Sequence, residues 1–185
     1  MRLLFVHQNF PGQFKHLAPA LARAGHEVRA LAVGVREGER HWQGVRLHEV
    51  RVRRGSTPGI HPWVQDLETK VIRGEAAFHA ARTLAQEGFA PDAIVAHPGW
   101  GESLFLKEVW PDAPLGIYCE FYYLPRGADT GFDPEFDRGD PAAACRLRMK
   151  KRQQPLALRS GGCWDFPHLL AGEHLSHAVP RPASR

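Results

Sequence analysis

Cysteine is scarce in this sequence: Cys119, Cys145 and Cys163 are three in 185 residues, far apart and without a Cys-x-x-Cys pair. That excludes a disulfide framework and a zinc knuckle, and points to free thiols in a reducing compartment. No apolar run approaches the roughly 20 residues of a spanning helix, and the opening apolar segment is too short and poorly flanked for a signal peptide. A soluble cytoplasmic protein is the expectation. Also missing are Gly-x-x-x-x-Gly-Lys-Ser/Thr, Gly-x-Gly-x-x-Gly, Gly-x-Ser-x-Gly and His-Glu-x-x-His. Their absence removes the P-loop, the dinucleotide fingerprint, the serine-hydrolase elbow and the zincin site. His7, His16 and His26 lack zinc spacing, and Asp129, Asp133, Asp137 and Asp140 lack the calcium-loop pattern, so no metal is expected.

A sustained excess of positive charge is missing from most of the chain as well. The formal net charge is +4, but residues 1–140 hold 16 Lys and Arg against 18 Asp and Glu, while residues 141–185 hold 8 against 2. The basic character belongs to the tail, and no nucleic-acid partner is expected, because a groove binder spreads its basic residues over a folded face with aromatics interleaved. Arg51, Arg53 and Arg54 form a local cluster. A solvated strand end is the simpler account of it, and acceptor or phosphate contact the other.

What is present is an alternation of strand and helix. Leu3, Leu4, Phe5 and Val6 form a continuous apolar run, as in a strand buried on both faces. Phe14, Leu17, Ala18, Leu21 and Ala22 recur at helical spacing, Gly25 stops that helix, and Val28, Ala30, Leu31 and Val33 supply a second strand. Gly34 to Gly44 is polar and turn-rich, and Val45, Leu47, Val50 and Val52 suggest a third strand. Pro58 to Pro62 breaks it, and Val64 to Gln86 reads as a long helix closed by Gly88. A fourth strand follows at Ala93 to Ala96, a helix at Ser103 to Trp110, and a fifth strand at Leu115 to Cys119. Residues 124–140 read as a long irregular loop, and Ala142 to Lys150 as the start of a helix. The fold class is α/β, with a mostly parallel sheet and flanking helices, whose strand-end loops gather on one rim. With 185 residues, one substantial core is the expectation.

Three loops carry candidate chemistry. Gln8 to Gln13 offers backbone N–H groups, a flexible Gly12 and the positive end of a helix, suited to an anionic diphosphate or carboxylate, although Pro11-Gly12 could simply turn the chain. His97 follows a buried strand, and Gly99 and Gly101 would let a substrate approach the backbone, which makes His97 and Glu102 candidate polar contacts. Trp100 offers a flat face for a sugar ring or base, or an anchor for the loop. Glu120 is a carboxylate among Phe121, Tyr122 and Tyr123, surroundings that suit general acid or base work or hold a structural Glu.

The loop His7 to Phe14, followed by Leu17 to Val28, resembles the amino-terminal domain of bacterial family 4 glycosyltransferases, in the branch that opens His-Gln-Asn-Phe-Pro-Gly-Gln-Phe. His97 to Glu102 and Tyr118 to Tyr123 are similar to the same branch, in the same order and spacing. The resemblance covers residues 1–150 and implies one half of a GT-B enzyme: a Rossmann-like domain on the acceptor side, facing a second that grips a nucleotide-sugar donor. It implies a sugar transferred with retention to a glycan or lipid-linked acceptor, as in polysaccharide biosynthesis, with no bound metal and no cofactor beyond the nucleotide-sugar co-substrate. His97 and Glu120 are then the catalytic candidates. Gln8, Asn9, Pro11, Gly12, Gly99, Trp100, Gly101, Glu102 and Tyr122 are the substrate-binding ones. Many relatives place a His after the fifth strand, near the position where Glu120 stands.

No second Rossmann-like domain is present, so the polypeptide is expected to be truncated and inactive alone. Residues 151–185 read as a basic, irregular tail. Shifting the frame of Cys163 to His177 by one base permits a segment similar to the entry of the family's second domain, and a frameshifted end is the expectation. Two other classes stay open: a standalone Rossmann-like module binding a small molecule or protein, and a hydrolase using Ser103. Peripheral membrane contact at the inner face would use the Val64 to Gln86 helix, with Lys70, Arg73 and Arg82, although core packing explains its apolar face more simply.

Overall fold

The computed structural model describes residues 1–35, 40–118, 142, 145–146, 148–149 and 162–164. Its strands are β1 (Arg2–Val6), β2 (Glu27–Ala32), β3 (His41–Trp42), β4 (Val45–Glu49), β5 (Ala93–Ala96), β6 (Leu115–Tyr118) and β7 (Gly162–Trp164). They form one sheet in the order β3-β4-β2-β1-β5-β6-β7, parallel throughout except for β3. The helices are α1 (Leu17–Arg23) and α2 (Pro62–Gln86), and the expected α/β architecture is present.

The continuous apolar run of β1 is divided between two layers. Leu4 and Val6 join Ala77, Ala81 and Leu84 of α2, together with Ile94, Leu115 and Ile117. Leu3 and Phe5 point the other way, to Phe14, Ala18 and Val28 on the α1 side. A strand covered on both faces has no polar face to present, which is why its sequence does not alternate.

Glycine ends both helices. Gly25 (φ +84°) and Gly88 (φ +84°) take the left-handed conformation, and the carbonyls of Leu21 and Leu84 accept from the N–H groups of His26 and Phe89 at 3.2 and 2.9 Å. These are Schellman closures. At the start of α2, Pro62 occupies the first turn and the His61 ring accepts from the Trp63 N–H at 3.2 Å.

Several expectations need correction. The helix expected to begin near Phe14 starts at Leu17, after a separate 3-10 turn at Gly12–Phe14. Residues 103–110 are turns around a 3-10 turn at Leu106–Glu108 rather than a helix. A segment that short, closed by Pro111, falls below the length at which a helix propagates, so burial of Leu106 and Trp110 sets its path. Within the polar 34–44 stretch, His41–Trp42 pairs with Val45 and Arg46 through Gln43 and Gly44, at φ +46° and +85°. That is a type I′ hairpin. The third strand ends at Glu49 rather than near Val52. Cys145, Arg146, Arg148 and Met149 are helical, as expected. β7 lies within the segment expected to be an irregular tail.

From β1 the sheet grows toward β2 on one side and β5 on the other. Strand order therefore reverses between β1 and β5. In open α/β sheets the crevice outside the carboxyl ends at such a point is where ligands bind.

Candidate functional site

Two histidines stand at the reversal. His7 follows β1 and His97 follows β5; each backbone N–H continues the ladder, to the carbonyls of Leu31 and Val6 at 3.1 and 3.0 Å. Both rings are buried and lie 5.2 Å apart between centroids, edge to face. Each Nδ1 accepts a backbone N–H two residues on: Asn9 at 3.0 Å for His7, and Gly99 at 3.1 Å for His97. In the neutral rings, the proton therefore sits on Nε2. His7 donates that proton to Gln13 Oε1 at 2.6 Å. His97 stacks on Tyr118 at the end of β6, with centroids 6.4 Å apart.

The glycines of these loops are occupied by protein atoms. A Cβ on Gly12 (φ +44°) would lie 2.3 Å from Cε1 of His7, and one on Gly99 would lie 2.8 Å from Cε1 of His97. Gly101 (φ +103°) abuts α2, where a Cβ would meet the Lys70 carbonyl oxygen at 2.3 Å. The close approach read into these positions is filled by the two imidazoles and the α2 backbone. The helix dipole expected at the Gly12 loop is weak too, since α1 has 7 residues and starts beyond the 3-10 turn.

α2 contributes a residue that the sequence reading did not place in the site. Arg73 Nη1 donates to Gln8 Oε1, lies 4.0 Å from Glu102 Oε1, and its guanidinium stands 5.9 Å from the Trp100 ring. One side chain thus ties the β1 loop to the β5 loop. Lys70 is buried and paired with Asp66 at 3.0 Å. Lys70 and Arg73, two of the basic residues considered for membrane contact, are therefore engaged within the protein, and the guanidinium of the third, Arg82, stands 5.8 Å from the Phe78 ring.

Glu102 is only 2% exposed, and neither carboxylate oxygen has a hydrogen-bond partner among the described residues. Burial pushes its pKa up from 4.5 to about 7; the dipole of its own N–H and the Arg73 charge pull the other way with less effect. At neutral pH the group is divided between acid and carboxylate. It can donate or accept a proton without a large free-energy penalty.

Gln8, Asn9, Pro11, Gly12, His97, Gly99, Trp100, Gly101 and Glu102 all lie in the loops after β1 and β5, and Trp100 is 44% exposed. Glu120 and Tyr122 lie outside the described residues. Ser103 is fully buried, out of reach of a substrate, which gives the hydrolase reading no support. His7 was missed as a site residue; its position directly after the first strand, mirroring His97, was the available signal. Among the described residues no cluster of three His, Cys, Asp or Glu is placed to hold a metal ion. No helix among them is long and apolar enough to cross a membrane.

Among curated proteins none matches the chain. The profile of the glycosyl transferase family 4 group matches residues 24–168, from the end of α1 through β7 and past the boundary expected at 150. With most of its length inside that match, the chain belongs to the glycosyl transferase family 4 group.

Proposed function

We propose that the β1–β5 crevice is the acceptor-side half of a retaining glycosyltransferase, which passes a sugar from a nucleotide-sugar donor to a glycan or lipid-linked acceptor. The observation that carries this reading is the pair of buried histidines, fixed by backbone N–H groups at the strand-order reversal of a chain from this family. Fixed through Nδ1 by the Gly99 N–H, His97 would present its imidazole to a sugar hydroxyl or to charge developing at the reacting centre. Glu102, whose carboxylate oxygens are buried, would act on the substrate only through Arg73, 4.0 Å away. Trp100 would stack on a sugar ring. Gln8, Asn9, Pro11 and Gly12 would face the donor diphosphate, with Gln8 held by Arg73. Glu120 and Tyr122 would act from the segment after β6.

In this reading residues 1–150 form the acceptor-side domain and 151–185 a basic tail. The donor is gripped by a second Rossmann-like domain, and without it most transition-state binding energy is missing. The test compares the 185-residue chain with a version extended by a donor-binding domain of the same family, each given UDP-glucose or GDP-mannose and a glycan acceptor. The chain alone is expected to transfer no sugar. The extended protein should transfer it, and His97→Ala should lower its kcat about 100-fold. Turnover by the chain alone would overturn the need for a second half. Binding without transfer in the extended protein would favour the standalone module. Codons incompatible with the shifted segment would dispose of the frameshift.

A further inference from the structure

α2 carries a second stripe that the crevice does not use. Ile72, Ala76 and Ala80 form the floor of a groove of about 540 Å³, and Arg51, Arg53 and Arg54, from the segment after β4, line it as well. Alanine at two positions four apart leaves the floor low and apolar, flanked on the same helix by Glu75 and His79.

The guanidinium groups are only partly engaged. Arg51 spends its Nε on Glu49 Oε2 at 2.7 Å. Arg54 stands 3.8 Å from Glu68 and 3.9 Å from Glu75, beyond hydrogen-bond distance. Glu68 is already taken by the Thr57 N–H and hydroxyl, at 2.9 and 2.5 Å. Arg53 makes no ion pair among the described residues. Three guanidinium groups thus outweigh the carboxylates of Glu49 and Glu75 in the lining.

We infer that this groove binds a phosphoryl group carried on a short apolar segment. Guanidinium forks match phosphate oxygens in pairs, and the Ile72, Ala76 and Ala80 floor offers the methylenes a surface shielded from water. None of the groove's lining residues belongs to the β1–β5 crevice, and the inference stands without sugar transfer.

Calorimetric titration of the 185-residue protein with hexyl phosphate, inorganic phosphate and hexanol tests it. Hexyl phosphate should bind at least about tenfold more tightly than inorganic phosphate, and hexanol should give no saturable heat. Arg53→Ala and Arg51→Ala, both at exposed positions, should each weaken hexyl phosphate about tenfold. Ala76→Leu should bring hexyl phosphate to the level of inorganic phosphate while leaving the latter unchanged, which a misfolded variant would not do. Pelleting with phosphatidylcholine vesicles, with and without phosphatidic acid, distinguishes the source. Pelleting that depends on phosphatidic acid and Arg53 assigns a lipid headgroup, and ester binding without pelleting assigns a soluble phosphate ester. Hexanol binding as tightly as hexyl phosphate, no binding of any phosphate ester, or binding indifferent to both arginine substitutions would overturn the inference.

Discussion

Replacing Glu102 by Gln should alter stability in a way that depends on pH over a definite window. The folded protein holds this carboxyl at about 7 against an ordinary 4.5. Between those values the native state binds more protons than the unfolded chain, so the contribution is fully present below pH 4.5 and is lost as pH rises to about 7. At about 1.4 kcal/mol per pH unit, the loss amounts to about 3 kcal/mol. Wild-type stability alone will not display it, because His48 acts in the opposite direction. Burial, then the charges of Arg29 and Arg46, depress the His48 imidazole from 6.5 to about 4. Its contribution is present above pH 6.5 and is lost on acidification, by up to about 2 kcal/mol once solvent screening of a half-buried ring is allowed for. The informative quantity is therefore the difference between Glu102→Gln and wild type, measured by urea unfolding at intervals from pH 4.5 to 8. Urea is required because guanidinium would screen the charges under test. The glutamine variant should begin level with wild type or slightly below it, since an amide brings two donors to a position where the carboxyl oxygens have no hydrogen-bond partner among the described residues. It should gain about 3 kcal/mol on wild type by pH 8. Arg73→Ala removes a charge that lowers the Glu102 pKa, so it should move the window to higher pH. A difference that stays constant from pH 4.5 to 8, or one that falls, would refute the reasoning.

Gly12→Ala should destabilise by about 2–4 kcal/mol, a left-handed backbone cost plus a Cβ placed against the His7 ring, read as a fall in Tm of several degrees. Gly25→Ala, at a comparable positive φ with nothing within 4 Å, should cost only about 1 kcal/mol, and equal losses at the two sites would remove the role given to His7. Gly101→Ala should also cost about 2–4 kcal/mol, because the Lys70 carbonyl it meets belongs to a helix backbone that cannot turn aside. Leu84→Ala in the α2 layer should cost about 2–5 kcal/mol in urea unfolding, and an effect under 1 kcal/mol would contradict its place in the core.

Where burial alone decides conformation, the sequence is a sufficient guide. β1, β5 and β6 are short apolar runs bounded by turn residues, and the glycines that close α1 and α2 do so because the last carbonyls of a helix need a left-handed residue beyond them. Residues 103–110 misled for the opposite reason: their apolar residues have helical spacing, but a segment between Gly101 and Pro111 is shaped by what it packs on. The β3–β4 hairpin was hidden because Gln-Gly is a weaker turn signal than Asn-Gly or Asp-Gly, and a strand of 2 residues shows no alternation.

The site divides along the same line. His97 and Glu102 could be singled out because they follow a buried strand, whose direction fixes where the next few residues go. Arg73 could not: it lies mid-helix in a stretch whose polar positions read as solvent-facing, and only the passage of α2 beside the β5 loop turns it toward Gln8 and Glu102. That passage depends on Gly74 and Gly101, where a Cβ on Gly74 would stand 2.9 Å from the Gly101 carbonyl. In sequence, Gly101 resembles a gap left for a ligand, and in space it is the point where helix and loop touch backbone to backbone. An arginine 25% exposed, brought by that contact beside a carboxyl 2% exposed, acquires a role that neither residue's neighbours in the chain could have indicated. The chemistry of the crevice is thus set by a packing contact on its flank, and a methyl group at Gly101, pressed against the Lys70 backbone, should push α2 away and with it Arg73 from Glu102.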